Sequence, residues 1–287
     1  MPERFMVNCK WVWGGLLLGL LVACVGAEAT AVPPTPSPIL QPTPTLIVTP
    51  SPTPPATSSP VPDSGWESLQ AGLERRTIRL LNENGRQTEQ LYMLRLDPNL
   101  FEFRLGYSPG QPKLLATWQA ETGALVVVNG GFFTEDYLAT GLIVVDGQAS
   151  GSSYEGFGGM VTIAEGEVAV RSLVERPYTP TESFDYALQA FPMLVLQGEP
   201  AYQNADLDAA RRTVIGVDGD GRILLILASW GSFTLTELSS YLASADFGLV
   251  TALNLDGGTS TGLILADPLE SIPAFVPLPD VIAIFPK

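Results

Sequence analysis

One run of residues in this chain carries the makings of a reaction site: Asn254-Leu255-Asp256-Gly257-Gly258-Thr259-Ser260-Thr261-Gly262. It follows Leu249-Val250-Thr251-Ala252-Leu253, an apolar stretch that reads as a buried strand. A strand end would fix the Asp256 carboxylate. Gly257 and Gly258 would let a ligand approach the backbone and meet its N–H groups. The hydroxyls of Thr259 and Ser260 add small donors and acceptors. A second apolar strand, Leu125-Val126-Val127-Val128, runs into Asn129-Gly130-Gly131-Phe132-Phe133 in the same way. Either run alone reads as a turn. Two in one chain, both carrying Asn, point to one shared site.

The rest of the composition narrows the chemistry. Histidine is absent from all 287 residues, which excludes a Ser-His-Asp triad, a His base and every His-ligated metal site. The only cysteines are Cys9 and Cys24, so no disulfide, Cys nucleophile or Cys-based metal site belongs to the region beyond them. Acid–base work falls to Asp, Glu, Tyr or Lys. Thirty acidic residues against fifteen basic ones give a net charge of −15, a surface that repels nucleic acid. No GxGxxG or GxxxxGK[ST] run occurs, so the expectation is an unaided protein site with no cofactor and no metal. Asp218-Gly219-Asp220-Gly221 lacks the spacing and closing Glu of a calcium loop and reads as a hairpin turn.

These residues need elements to hold them. Residues 1–23 read as a signal peptide: Arg4 and Lys10 make a basic start, Trp11 to Val22 an apolar stretch. It ends in Leu21-Val22-Ala23-Cys24, which resembles a bacterial lipobox. That resemblance implies that Cys24 is lipidated and that the mature chain is extracytoplasmic and membrane-anchored. Residues 24–63 are rich in Pro, Thr and Ser and read as an extended stalk, with a reach on the order of 90 Å for about thirty polyproline-like residues. Residues 64–287 form the folded region.

Within it, Tyr92 to Leu96 and Phe101 to Tyr107 read as a hairpin about Asp97-Pro98-Asn99. Further hairpins follow at Asp146-Gly147, at Glu165-Gly166 and about Asp218–Gly221. Leu114 to Glu121 reads as a short helix. Thr234-Leu235-Thr236-Glu237 fits a capping box. Leu235, Leu238, Leu242, Ala245 and Leu249 follow at helical spacing, with a stop at Gly248. The fold class is therefore α+β: mixed, mainly antiparallel sheets packed with a few helices in a single compact domain.

Four segments in order resemble the phosphodiester glycosidase family: Asn129–Phe133, Leu188–Glu199, Arg211–Ile226 and Thr236–Leu263. The closing Pro279-Asp280-Val281-Ile282-Ala283-Ile284 is similar to the family's last strand. The resemblance spans about Leu91 to Lys287. It implies cleavage of a sugar-1-phosphodiester by an envelope-facing enzyme whose partner is a sugar-1-phosphate-containing glycan. Under it, Asp256 stabilises the oxocarbenium-like sugar, attacks it or activates water. Arg212 grips phosphate with a planar, always-charged fork. Asn129, Gln189 and Asn254 hold sugar hydroxyls or position the carboxylate. N–H groups near Gly130, Gly131, Gly257 and Gly258 face phosphate oxygens. Two departures bear on pocket shape. Gln189-Ala190-Phe191-Pro192 stands where the family commonly has Gln-Ser-Gly-Pro, and Thr259-Ser260-Thr261 where it has Gly-Ser-Ser. The competing expectation is a non-catalytic phosphoglycan-binding lipoprotein on the same fold. Phe132 and Phe133 read as core residues, and Trp230 as the better sugar-stacking candidate.

Overall fold

A computed structural model describes residues 62–287. The signal peptide, Cys24 and nearly all of the stalk lie outside the described residues. Three sheets dominate. The largest has eight strands in the order Glu67–Gln70, Leu73–Leu81, Gln87–Leu96, Ile223–Phe233, Ala210–Asp218, Leu249–Asn254, Met193–Leu196, Glu199–Pro200. A second sheet has the order Gln148–Ser150, Ile143–Val145, Tyr186–Ala190, Gly159–Ala164, Glu167–Ser172. A third has the order Leu269–Ile272, Leu263–Ala266, Val126–Asn129, Asp280–Pro286, Phe101–Tyr107. Every strand pairing among the described residues is antiparallel. With only two α-helices among the described residues, Leu115–Thr122 and Leu235–Ser244, the domain is sheet-dominated rather than a balanced α+β fold.

The strand runs read as fully apolar because both their faces are covered. Val126 and Val128 enter a central core shared by all three sheets, together with Leu94, Phe103, Val161, Leu188, Leu225, Leu253 and Ile282. Val127, between them, faces the other way and packs with Leu115 and Trp118 of the first helix. Likewise Ile223, Leu225 and Leu227 face the central core, while Leu224, Ile226 and Ala228 pack with Leu238 and Leu242 of the second helix. Alternate residues thus serve two layers.

The second helix begins as expected. The Thr234 hydroxyl accepts from the Glu237 N–H, and the Glu237 carboxylate accepts from the Thr234 N–H. It ends sooner than its apolar spacing suggests. Ala245 is already extended, Gly248 sits at φ +67° in the connection, and Leu249 opens the next strand. The hairpins at Asp146, Glu165 and Asp218 form. Asp218 spends its oxygens on the N–H groups of Asp220 and Arg222 and on the Arg222 guanidinium, so the turn consumes them.

One expected hairpin does not form. Gln87–Leu96 pairs with Leu73–Leu81 and Ile223–Phe233, whereas Phe101–Tyr107 pairs with Asp280–Pro286 in another sheet. Leu94, Leu96, Phe101 and Phe103 all enter the central core. The two strands meet that core from different sheets, each held by its own partners, so the Asp97 turn becomes a corner between sheets.

Candidate active site

The Asn129-Gly130-Gly131 run ends a strand of the third sheet, and Asn254-Leu255-Asp256 ends a strand of the largest. The structure brings these ends together. Asn129, fully buried, donates from Nδ2 to the Asp256 carbonyl at 2.8 Å. Its Oδ1 accepts from the Thr213 hydroxyl at 2.8 Å and from the Gly262 N–H at 3.1 Å. Asn129 therefore clamps the glycine loop to the neighbouring strands and has its amide filled by protein.

Gly130 joins two carboxylate residues. Its carbonyl accepts from the Asp256 N–H at 3.1 Å, and its own N–H donates to the Asp280 carbonyl at 3.2 Å. The next N–H, that of Gly131, donates to Asp280 Oδ1 at 2.6 Å. A β-carbon on Gly130 would overlap that same oxygen. Gly130 is not at positive φ, so glycine is required there for space and not for conformation. On the other loop, the Gly257 N–H donates to Asp256 Oδ1 at 2.8 Å. A β-carbon on Gly257 would lie 2.7 Å from the Arg211 carbonyl. Three of the four N–H groups assigned above to phosphate thus hold the aspartates instead. Gly258, at φ +60°, opens the 3-10 turn Gly258–Ser260, with Thr259 exposed on it.

Asp280 is the residue that sequence reasoning missed. It is almost wholly buried, and its Oδ2 has no hydrogen-bond partner. Burial, reinforced by the Asp256 charge and offset by the Gly131 N–H, pushes its carboxyl up to about 8. Asp256 is more open. Burial raises its carboxyl too, but the Ser260 hydroxyl and the Gly257 N–H stabilise the charged form. Of the two, it is Asp280 that burial holds protonated at neutral pH. Burial also pushes the Tyr154 phenol up, opposed by its hydrogen bond to Thr140 and reinforced by the charges of Asp280 and Asp256. Its hydroxyl meets Thr140 Oγ1 at 2.6 Å.

Gln189 positions this tyrosine. Its Oε1 accepts from the N–H groups of Tyr154 at 2.8 Å and Leu142 at 3.3 Å, and its Nε2 donates to Ser153 Oγ at 2.8 Å. Asn254 donates to the Phe191 carbonyl at 2.9 Å, and its Oδ1 is buried without a partner. Phe132 stacks on Phe191 at 4.4 Å, and Tyr154 meets Phe191 edge-on at 5.4 Å. Phe132 also packs against the central core, and Phe133 against the first helix's cluster. Trp230 is 56% exposed, its N–H held by the buried Glu89 carboxylate.

Arg212 stands apart from the acid pair. Successive strand residues point to opposite faces. Thr213 faces Asn129 and Thr261, so Arg212 faces away. Its guanidinium donates to the Asp208 carbonyl at 2.6 Å and the Phe233 carbonyl at 3.5 Å, with Asp206 at 4.0 Å. Only its stem approaches the loop, with Cδ 3.7 Å from where a β-carbon on Gly257 would sit. Arg211 lies over Phe275 at 4.5 Å and has a buried Nη1 with no partner. Of the buried side-chain atoms without partners, three belong to Arg211, Asn254 and Asp280, around these two loops. Such atoms in a native fold call for an explanation, and a bound ligand is one.

The sequence profile of the phosphodiester glycosidase family matches residues 122–285, which contain both loops and Asp280. No curated protein matches the chain in sequence. Among solved structures, the fold is similar to the catalytic domain of zebrafish N-acetylglucosamine-1-phosphodiester alpha-N-acetylglucosaminidase, auto-inhibited by its pro-peptide. The identity is 18% and the TM-score 0.61, over 77% of this chain and 86% of that one. A hypothetical protein from Synechocystis matches at 18% identity and TM-score 0.54, over 76% of this chain and 62% of that one. A putative exported protein from Burkholderia pseudomallei matches at 12% and 0.52, over 69% and 74%.

Proposed function

The chain belongs to the phosphodiester glycosidase family, and from that membership we propose that it hydrolyses a sugar-1-phosphodiester. The bond broken joins the anomeric carbon to a phosphate that carries a second alcohol. Water ends on the sugar, and a phosphate monoester leaves. That leaving group is weakly basic, so charge at the anomeric centre matters more than protonation of the departing oxygen. Asp256, the more open member of the pair, supports that centre. Asp280 keeps its proton and Tyr154 borders the same space. The observation that carries the reading is the pair itself, two aspartates from different sheets tied through the Gly130 peptide, with a buried oxygen of Asp280 left without a partner. Arg212, whose guanidinium is bonded to the Asp208 and Phe233 carbonyls on the far face of its strand, would have to leave them to reach a phosphate.

The zebrafish relative's name makes the methyl diester of N-acetylglucosamine 1-phosphate the first substrate to try. Asp256→Asn is nearly isosteric and should stay folded, while turnover falls at least about a hundredfold, a loss of ~3 kcal/mol of transition-state stabilisation. A folded variant as active as wild type sinks the assignment. Phe191, bulky where the family commonly has glycine, favours a second reading, a non-catalytic phosphoglycan-binding protein, which binding without turnover would support. The tether belongs to the same proposal: lipidation at Cys24, residues 24–63 as a stalk, and envelope or exopolysaccharide glycans as substrate. Mass spectrometry of the mature N-terminus decides it, since an unmodified start elsewhere removes the anchor.

A further inference from the structure

A phosphodiester carries two alcohols, and the acid pair deals only with the sugar. A cavity of about 620 Å³ shares Phe191 with the aromatic cluster beside that pair and contains neither aspartate. Phe157, Phe191, Met193, Leu196 and Val174 wall it. Phe157 and Val174 are 46% and 63% exposed, apolar surface open to solvent. Glu175 is the only charged side chain in the lining, and no Lys or Arg lines it. The Ser172 hydroxyl, also there, is turned to the N–H groups of Val174 and Glu175. A phosphate would find no cation in this space; Tyr202 and Asn204 add a phenol and an amide to one part of a lining that is otherwise mostly apolar. An apolar group would find aromatic and aliphatic walls.

The cavity borders the acid site at one residue, Phe191, whose carbonyl accepts from the Asn254 amide two residues before Asp256. Phe191 stacks on Phe132, which follows the Gly131 that holds Asp280. It meets Tyr154 edge-on on its way to Phe157, at 5.4 and 5.5 Å. A sugar at Asp256 would thus have its phosphate beside Phe191 and its second ester group at the cavity. We propose that this cavity is the subsite for the second alcohol of the diester and that it takes a hydrophobic one, an alkyl or aryl group. The inference rests on the glycosidase reading above and names the substrate class of that site.

The test compares methyl, octyl and glucosyl diesters of N-acetylglucosamine 1-phosphate on the whole protein. The octyl diester should show a KM at least about tenfold below that of the methyl diester, as burial of even two methylenes supports, with kcat within about threefold. Val174→Glu, a change at an exposed position, should bring the octyl-to-methyl ratio towards one. Leu269→Glu, at an 80% exposed position outside the cavity, should preserve it. Equal KM values in wild type, a preference for the glucosyl diester, or a preference that survives Val174→Glu each overturn the subsite and leave the glycosidase reading standing. If no diester is turned over, the glycosidase reading fails alone and the subsite is read from calorimetry. There an octyl Kd at least about tenfold below the methyl Kd supports it, and equal values overturn it.

Discussion

The Asp280→Asn substitution isolates the buried proton. In the folded protein the carboxyl is pushed up to about 8, mainly by burial, while its ordinary value is 3.8. Between those two values the folded chain keeps a proton that the unfolded chain releases. Stability is therefore highest at the acid end of the window and falls as pH rises through it, by up to about 1.4 kcal/mol per unit for one proton. Groups with lowered values act elsewhere. Glu182, held at about 2 by Arg171, and Asp63 and Asp206, also held low, contribute stability that is lost only as pH drops below about 4. Asp256, raised by burial, works in the same direction as Asp280. The Asp280→Asn side chain keeps an oxygen for the Gly131 N–H and puts a neutral amide where Oδ2 has no partner, so it removes the titration with little change in shape. In urea melts at pH 5, 6, 7 and 8 and constant ionic strength, the variant should gain on the wild type by about 3 kcal/mol between pH 5 and pH 8. Parallel curves would mean that Asp280 is already ionised in the fold, and the description of a buried proton there would fall with it.

Three further outcomes follow from the same contacts. Gly130→Ala sets a β-carbon against Asp280, so thermal melting should show a loss of more than about 2 kcal/mol, with turnover reduced in step. Gln189→Ala leaves the N–H groups of Leu142 and Tyr154 without their acceptor; limited proteolysis should cut faster within residues 151–158, at a stability cost of about 2 kcal/mol. Arg212→Lys keeps the charge but loses the fork, so KM for the methyl diester should rise; an unchanged KM makes Arg212 a tether for the Asp206–Asp208 segment only.

The strands were legible because apolar runs such as Val126–Val128 and Ile223–Ala228 are long, β-branched or leucine-rich, and bounded by glycine turns. Their partners were harder to read. Asp97-Pro98-Asn99 has hairpin chemistry, and local sequence cannot report that Phe101 and Phe103 share a core with Leu94 and Leu96 from the opposite layer. The second helix shows the same limit at its end. Leu249 has helical spacing from Leu242, but the strand Leu249–Asn254 claims it, and Ala245 leaves the helix to make the connection.

The two Asn-bearing loops were legible as one site, and the roles inside it were not. Asp280 opens a strand as Pro279-Asp280-Val281, an ordinary place for an aspartate. It becomes unusual only when Val281 pairs with Asn129 and sets the carboxyl against Gly130. Its trace in the sequence was Gly130 itself, a glycine needed for space rather than for a turn. The arginine pair fails for a similar reason. Alternation puts Arg211 on the face of Thr213 and Arg212 on the other, and which of these faces meets the glycine loops is fixed only by the Thr213–Asn129 hydrogen bond between two sheets. The Asn-Gly-Gly run thus spends its amides and carbonyls on holding Asp256 and Asp280 together. Its glycines mark where the two aspartates are brought together, and under the proposed glycosidase reading the atoms left to meet a substrate are those of Asp256, Tyr154 and the aromatic wall.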